Sequence, residues 1–127
     1  TFSGPKELDP SKSLTQEAKK LGVEFYIDRD PYSAIKDADL IATDTWISMH
    51  DDPKVKKDRR NQLKAFQVNE ELMSKAKTDV LFMHCLPAHR DEEATSGVMD
   101  GKNSVIFDEA ENRLHVQKAI MRWCLSR

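Results

Sequence analysis

The 127-residue chain contains few cysteines and glycines, no long apolar run and no excess of charge of either sign. Two cysteines cannot build a disulfide scaffold, so they favour a reducing compartment; we expect the cytoplasm, with the mitochondrial matrix as an alternative. The four glycines form neither G-x-G-x-x-G nor a Walker sequence, which argues against a dinucleotide or nucleoside triphosphate site. The net charge of −2 gives no basic field for nucleic acid, and no apolar run approaches the roughly 20 residues of a membrane span.

The length favours one domain, covering residues 1–127 and large enough to bury a core. The first ten residues, TFSGPKELDP, have neither the apolar centre of a signal peptide nor the Arg-rich pattern of a transit peptide. Because the sequence begins without methionine, we expect a fragment of a longer protein.

Four short apolar runs predict β-strands, because they are rich in the β-branched and aromatic residues that strands favour. Helical segments separate them, and this alternation is typical of right-handed βαβ units that build a parallel sheet covered on both faces. The run DVLFMHC is continuously apolar, as expected for a strand buried on both sides. We therefore predict an α/β fold, a three-layer doubly wound parallel sheet of the Rossmann-like type. The four runs are VEFYI, DLIATDTW, DVLFMHC and NSVIF.

Cap residues mark the helices between these strands. The segment SKSLTQEAKKLG has serine N-caps available and ends at Gly22. Asp30 is the N-cap of a short helix that opens with Pro31, and Asn69 caps EELMSKAK. These signals predict where the helices begin.

Two longer segments complete the prediction. The last helix is predicted from about Glu111, with apolar residues at a period near 3.6. The charged residues 51–60 are interpreted as a solvated loop and helix face, or alternatively as a mobile loop that closes over a substrate.

Ligands of parallel sheets bind beyond the carboxyl ends of the strands, which directs attention to residues 44–49, 84–87 and 108–113. The spacing of His84, Cys85 and His89 matches neither C-x-x-C nor H-x-x-x-H. We therefore expect no metal and no cofactor.

The chemistry of the strand ends leaves alternatives open. Cys85 is a small buried hydrophobe, a nucleophile, or a group that helps the turn to position a substrate amine or carbonyl. A dyad with His84 is disfavoured because neighbours on a strand point to opposite faces. Asp44 either caps the following turn or holds a cationic amine together with the Ser48 hydroxyl. Arg113 is either solvated or binds an anion such as phosphate together with the start of the last helix.

Three segments carry a resemblance to a known family. The segments DTWISM, FMHCLPAHRDEEAT and SVIFDEAENRLHVQKAIMRW together resemble the ornithine branch of the carbamoyltransferase family, in its order and spacing. The resemblance covers nearly the whole chain and points to the C-terminal, ornithine-binding domain. It implies an enzyme, homotrimeric at full length, that transfers the carbamoyl group of carbamoyl phosphate to the side-chain amine of L-ornithine. The products would be L-citrulline and phosphate.

The resemblance also implies site residues. Asp44, Ser48 and Met49 match the loop that holds ornithine, and Cys85 matches the thiol near the reacting amine. Three further positions match contacts of carbamoyl phosphate: His84, the backbone carbonyl of Leu86, and Arg113. Of all these, the expected catalytic residues are Asp44, Cys85 and Arg113.

Two departures from the family pattern affect these expectations. His50 stands where the family usually has glycine, and the segment around AFQVN is altered, which bears on loop closure and amine preference. The family's first strand of this domain and its carbamoyl phosphate domain are not among these residues, so we expect a partial domain that is inactive alone. The alternatives are carbamoyl transfer to putrescine or a modified ornithine, or a non-catalytic ligand-binding or assembly module.

Overall fold

The computed structural model describes residues 1–47 and 51–126. Two parallel strands, β1 (Leu40–Thr43) and β2 (Leu81–His84), form its sheet. Among these residues, no helix has both the length and the apolar character that a membrane crossing requires. The helices are α1 (Lys12–Lys20), α2 (Pro31–Ala34), α3 (Pro53–Leu63), α4 (Glu70–Met73), α5 (Ser96–Met99) and α6 (Ile106–Leu125), with 3-10 turns at Lys6–Leu8 and Lys64–Phe66.

The predicted helix caps are confirmed. Ser11, Asp30 and Asn69 accept backbone N–H groups in the first turns of α1, α2 and α4 at 3.3, 3.0 and 2.9 Å. Gly22 follows α1 with a φ of 72°, the left-handed conformation that glycine adopts without a steric cost. Local sequence chemistry therefore fixes these helix ends.

The strand predictions DLIATDTW and DVLFMHC are confirmed as β1 and β2, which run parallel, and with them the α/β class. Their register pairs Leu40 with Leu81 at one end and Thr43 with His84 at the other. Along the run DVLFMHC, Phe82 is buried and Leu81 is 44% exposed. This strand is therefore covered on one face in the described structure, where the sequence predicted two.

The run VEFYI does not form a full strand. Ile27 makes a single parallel bridge with Phe2, carried by the hydrogen bonds Phe2 N–H to Tyr26 O (2.8 Å) and Asp28 N–H to Phe2 O (3.0 Å). At the other end of the run, the N–H of Val23 donates to a carbonyl of α1, so this residue completes the helix instead of extending a strand.

The run NSVIF is also shorter than a strand, and the predicted start of the last helix at Glu111 is wrong. Ser104 makes a parallel bridge with Phe82, and helix α6 begins at Ile106. Asp108 and Glu109 occupy the first turn of α6, where negative charge is favourable to the helix dipole. The helix therefore starts immediately after the bridge.

One core holds the sheet to the helices. The strands, the helices and Ala94, which forms a bridge with Val68 before α5 begins, all contribute side chains to this core. The carboxyl ends of β1 and β2 lie at its border. Its buried members are Ile35, Ile41, Val68, Leu72, Val80, Phe82, Ala94, Val98, Met99 and Ile106.

Helix α6 leaves this core after its first turn. Ile106 is buried, whereas every residue from Ala110 to Ser126 is exposed. The apolar period of the sequence identified the helix correctly, but its apolar side chains are largely exposed in the described structure. The exposed apolar side chains of α6 include Leu114, Val116, Ile120, Trp123 and Leu125.

The charged residues 51–60 lie mostly in α3, whose N-cap Asp52 accepts the N–H of Lys54 at 2.8 Å. Leu63 at the end of α3 packs in a second small core with Trp46 and Ile47. The side chains of residues 51–60 are exposed or half-buried, as the interpretation of a solvated loop and helix face predicted, and closure over a substrate stays a prediction.

Candidate active site

The parallel register brings the two most informative strand ends together. Because Thr43 pairs with His84, the next residue of each strand, Asp44 and Cys85, lies at the same edge of the sheet. The Cys85 thiol donates a hydrogen bond to Asp44 Oδ1 at 3.0 Å, and the same oxygen accepts the backbone N–H of Thr45 at 2.7 Å. Two residues 41 positions apart in sequence thus form one polar site.

The carboxylate controls the chemistry of the thiol. The hydrogen bond to Asp44 raises the pKa of Cys85, and slight desolvation of this exposed thiol and the charges of Asp44 and Glu109 raise it further. A thiolate facing two carboxylates is unfavourable, so Cys85 stays a protonated donor at neutral pH. That state is opposite to the one a covalent cysteine nucleophile requires.

A groove of about 1090 Å³ opens beside this pair. Asp44 and Cys85 line it together with Trp46, Arg59 and Glu109, and it extends along β1 toward the N-terminal residues. Its volume is comparable to that of small-molecule sites. Two carboxylates beside a neutral thiol make this part of the groove suited to a cationic group.

His84 is among the residues that line this groove, but its ring lies against the buried Glu93. Its side chain is fully buried, Nδ1 accepts the N–H of Leu86 at 2.9 Å, and Nε2 lies 3.2 Å from Glu93 Oε1. The expected opposite orientation of His84 and Cys85 agrees with this placement. A direct substrate contact by the His84 ring would require it to leave its present position.

Leu86 lies in the turn that follows Cys85, joined to Pro87 by a cis peptide bond. Its φ is 52°, a left-handed conformation that is unfavourable for a side chain of this size. The hydrogen bond from its N–H to His84 holds it there. The backbone of the predicted substrate-binding turn is therefore fixed from the interior of the protein.

The remaining predicted site residues either lie outside the described structure or do not line the groove. Ser48 and Met49, like His50, lie outside the described residues. The expectation that Arg113 sits at the start of the last helix is wrong, because α6 begins at Ile106, about two turns earlier. Arg113 is exposed and does not line the groove, whereas Glu109, one turn before it, does.

Sequence reasoning did not single out Glu109 or Glu93. Glu109 follows the bridge at Ser104, and Glu93 is fully buried against His84. The two adjacent glutamates after FMHCLPAHRD were a visible signal in the sequence. Glutamate is rarely buried without a partner, so a buried one implies a contact with another polar group. Its spacing from β2 alone could not show that Glu93 folds back onto the strand.

One group of side chains could offer ligands to a cation. Ligand atoms of His89, Glu92 and Glu93 lie within 4.8 Å of one another. The Arg60 guanidinium donates two hydrogen bonds to Glu92, at 3.1 and 2.8 Å. A cation at this position would have to displace Arg60, so the contacts present favour an ion pair.

The sequence matches the family model described as aspartate/ornithine carbamoyltransferase, Asp/Orn binding domain, over residues 1–124. The chain belongs to the aspartate/ornithine carbamoyltransferase family. It is 64% identical over 125 residues to a protein of Paracoccus denitrificans named ornithine carbamoyltransferase, covering 98% of the chain and 41% of that protein. The chain thus spans less than half the length of this family member.

Solved structures of the family agree with the fold. The ornithine carbamoyltransferase of Pyrococcus furiosus is 46% identical with a TM-score of 0.82, over 92% of this chain and 38% of that one. An N-acetyl-L-ornithine transcarbamylase mutant complexed with carbamyl phosphate and N-succinyl-L-norvaline is 33% identical with a TM-score of 0.77, over 94% and 38% of the two chains. These similarities confirm the predicted α/β class.

Proposed function

We propose that residues 1–127 form the ornithine-binding part of a carbamoyltransferase and that the carbamoyl phosphate part lies elsewhere in a longer protein. In the proposed reaction the side-chain amine of L-ornithine attacks the carbonyl carbon of carbamoyl phosphate. The bond from that carbon to the phosphate oxygen breaks, phosphate leaves with the electron pair, and the amine loses a proton to give L-citrulline. The observation that carries the proposal is the contact of Asp44 and Cys85 at the strand ends, in a chain of this family.

The charges beside Cys85 support a role in holding the amine. An alkyl ammonium has a pKa near 10 and arrives as a cation, which the Asp44 and Glu109 carboxylates attract. The protonated thiol of Cys85 then orients the amine without attacking the carbonyl itself. Ser48 and Met49 are proposed to complete this side of the site.

The phosphate side of the site is less complete within this chain. Arg113 is proposed to bind carbamoyl phosphate, and the Leu86 carbonyl to contact its carbamoyl nitrogen. His84 is proposed to affect carbamoyl phosphate binding indirectly, because its ring accepts the Leu86 N–H and so supports the turn. The remaining donors for the phosphate would come from the rest of a homotrimeric enzyme, for which we propose a cytoplasmic location.

A second candidate is carbamoyl transfer to a modified ornithine. The similarity to an N-acetyl-L-ornithine transcarbamylase favours considering it, because that protein shares the fold over most of this chain. An acylated α-amine would leave the side-chain amine free for the same attack. The two candidates differ only in what the groove accepts at the other end of the substrate.

The deciding experiment measures turnover by the full-length protein that contains this chain. Carbamoyl phosphate is supplied with L-ornithine, N-acetyl-L-ornithine or putrescine, and the carbamoylated products are quantified. We expect kcat/KM for L-ornithine to exceed that for the other amines at least about tenfold, the effect of one lost charged contact. Preferential use of N-acetyl-L-ornithine or putrescine would replace the first candidate, and no transfer to any amine would contradict both.

A further inference from the structure

Glu93 is a buried carboxylate placed behind the turn that carries Cys85. Its side chain is fully buried, and its own backbone is held by the hydrogen bond from Val68 N–H to Glu93 O at 3.0 Å. Taking an ionised carboxylate out of water is costly unless donors surround it. The donors that approach it therefore indicate what Glu93 does.

Those donors come from both ends of one turn, residues 84–89. Glu93 Oε1 accepts the backbone N–H of His89 and lies 3.2 Å from His84 Nε2. The His84 N–H is not well aligned with that oxygen, so the contact is chiefly electrostatic. Glu93 Oε2 has no hydrogen-bond donor among the described residues and lies 3.9 Å from His89 Nδ1. A single carboxylate thus spans the turn.

The protonation of His84 follows from its other contact. A backbone N–H only donates, so the hydrogen bond from Leu86 N–H at 2.9 Å requires a lone pair on His84 Nδ1. The ring is then neutral, with its proton on Nε2, where it faces the Glu93 carboxylate. The Leu86 bond and the Glu93 contact select the same tautomer.

This arrangement connects Glu93 to the thiol. Cys85 lies between His84 and Leu86, and Leu86 has a left-handed backbone that needs a restraint. If His84 were released, the turn would relax and Cys85 would move away from Asp44. Glu93 touches neither Asp44 nor Cys85, so it would act only through the turn.

We propose that Glu93 is a positioning residue that holds His84 as the Nε2–H tautomer and thereby keeps Cys85 against Asp44. The role in positioning a substrate amine rests on the proposed function. The tautomer and the geometry of the thiol do not, so they are tested without substrate in the 127-residue chain.

The first test is the nitrogen and proton NMR spectrum of His84. We expect an unprotonated Nδ1 and a slowly exchanging Nε2 proton, whose resonance moves when the carboxylate is exchanged for an amide in Glu93→Gln. The matched control is Glu92→Gln, at the neighbouring glutamate that pairs with the exposed Arg60, and it should leave the resonance in place. A proton on Nδ1, or a mixture of both tautomers, would overturn the proposal.

The second test measures the pKa of the Cys85 thiol. In a Cys124→Ser background, so that Cys85 is the remaining cysteine, the pH dependence of alkylation reports the pKa of Cys85. Glu93→Ala should lower this pKa and raise the alkylation rate at neutral pH roughly three- to tenfold, because each pKa unit is a factor of ten in thiolate. Asp44→Ala is the positive control, and Glu92→Ala should change nothing.

A purely structural role for Glu93 predicts a different result. A folded Glu93→Ala variant, with native circular dichroism and an unchanged Cys85 alkylation profile, would overturn the proposal. Should Glu93→Ala not fold, Glu93→Gln decides instead. Because this variant removes the charge but keeps an acceptor, it should retain the Cys85 profile while it moves the His84 Nε2 proton resonance, and an unmoved resonance would contradict us.

Discussion

The contact between Cys85 and Asp44 decides what each residue can do. A carboxylate at 3.0 Å keeps the thiol protonated by accepting its hydrogen bond and by repelling the thiolate charge. Asp44 in turn keeps its second oxygen available to a ligand, since its described hydrogen bonds use Oδ1. The pair is therefore equipped to bind and orient an amine, and poorly equipped for covalent catalysis.

We predict that Cys85→Ala, in the full-length protein, lowers kcat/KM for ornithine about ten- to a hundredfold. The reason is loss of a hydrogen-bonding group at the reacting amine, worth roughly 1.5–3 kcal/mol. Steady-state kinetics with each substrate varied will measure it. Cys124→Ala, at the exposed cysteine of α6, is the matched control and should retain activity. A carbamoyl thioester on Cys85, detected by mass spectrometry in the parent enzyme, would contradict the interpretation of Cys85 as a group that orients the amine.

A second residue-scale prediction concerns Arg113. If this exposed arginine binds carbamoyl phosphate, Arg113→Ala raises KM for that substrate and lowers turnover, costing on the order of 2–4 kcal/mol in kcat/KM. Lys118→Ala, at another exposed cation of the same helix, should have little effect. Equal kinetics for the two variants would show that Arg113 is a solvated surface residue and does not bind carbamoyl phosphate.

At the scale of elements, Arg29 adds side-chain contacts to the backbone bridge that joins the N-terminal segment to the chain before α2. Arg29 donates to Gly4 O at 2.8 Å and to Asp9 Oδ2 at 2.7 Å. The hydrogen bond from Arg29 lowers the pKa of Asp9 in the folded state. A carboxyl with a depressed pKa stabilises the fold above its unfolded value, and that contribution disappears as pH falls through the folded value.

We therefore predict that Asp9→Asn is less stable than the parent at neutral pH and that the difference vanishes on acidification. The change should occur as pH falls below the ordinary aspartate value of 3.8. Because the pair is exposed, the effect should be small, within the range of surface ion pairs. Urea unfolding between neutral pH and about pH 3 will measure it, with Glu24→Gln at another exposed carboxylate as the control. A stability difference that stayed constant across this range would contradict the assignment.

At the scale of the whole molecule, the chain buries a core around a two-stranded sheet and leaves large apolar surfaces uncovered. Leu40 and Leu81 on the sheet are 48% and 44% exposed, and Trp123 on α6 is 55% exposed. The groove beside β1 continues this open surface toward the N-terminal residues. Within the described residues, this shape gives the Asp44–Cys85 site few neighbouring groups that could enclose two substrates.

We predict that the 127 residues alone do not form citrulline from ornithine and carbamoyl phosphate. Orientation of two bound substrates supplies a large part of such a rate, and Arg113, the arginine proposed to bind phosphate, would leave most phosphate oxygens to water. Purified chain with both substrates should give no citrulline above background. Adding the separately expressed remainder of the protein should restore activity, and turnover by the chain alone would contradict the prediction.

The sequence predicted the elements best where the chemistry is local. The caps at Ser11, Asp30 and Asn69 lie where expected, because each accepts an N–H only two or three residues away. The run VEFYI was misjudged as a strand because pairing depends on a partner, and in the described part of the chain only Phe2 bridges it. The start of α6 was misplaced because Val105, Ile106 and Phe107 are residue types that strands favour, and the acidic first turn was not considered.

For the candidate site, the sequence by itself determined the residue types and their places at strand ends: Asp44 after β1 and Cys85 after β2. It could not determine their contact, since strand register depends on side chains that meet only in the folded core. The tertiary structure alone decided that Glu109 faces the groove, that Arg113 does not, and that Glu93 is buried against His84. Contacts between residues far apart in sequence arise from how the elements pack, and no short segment encodes them.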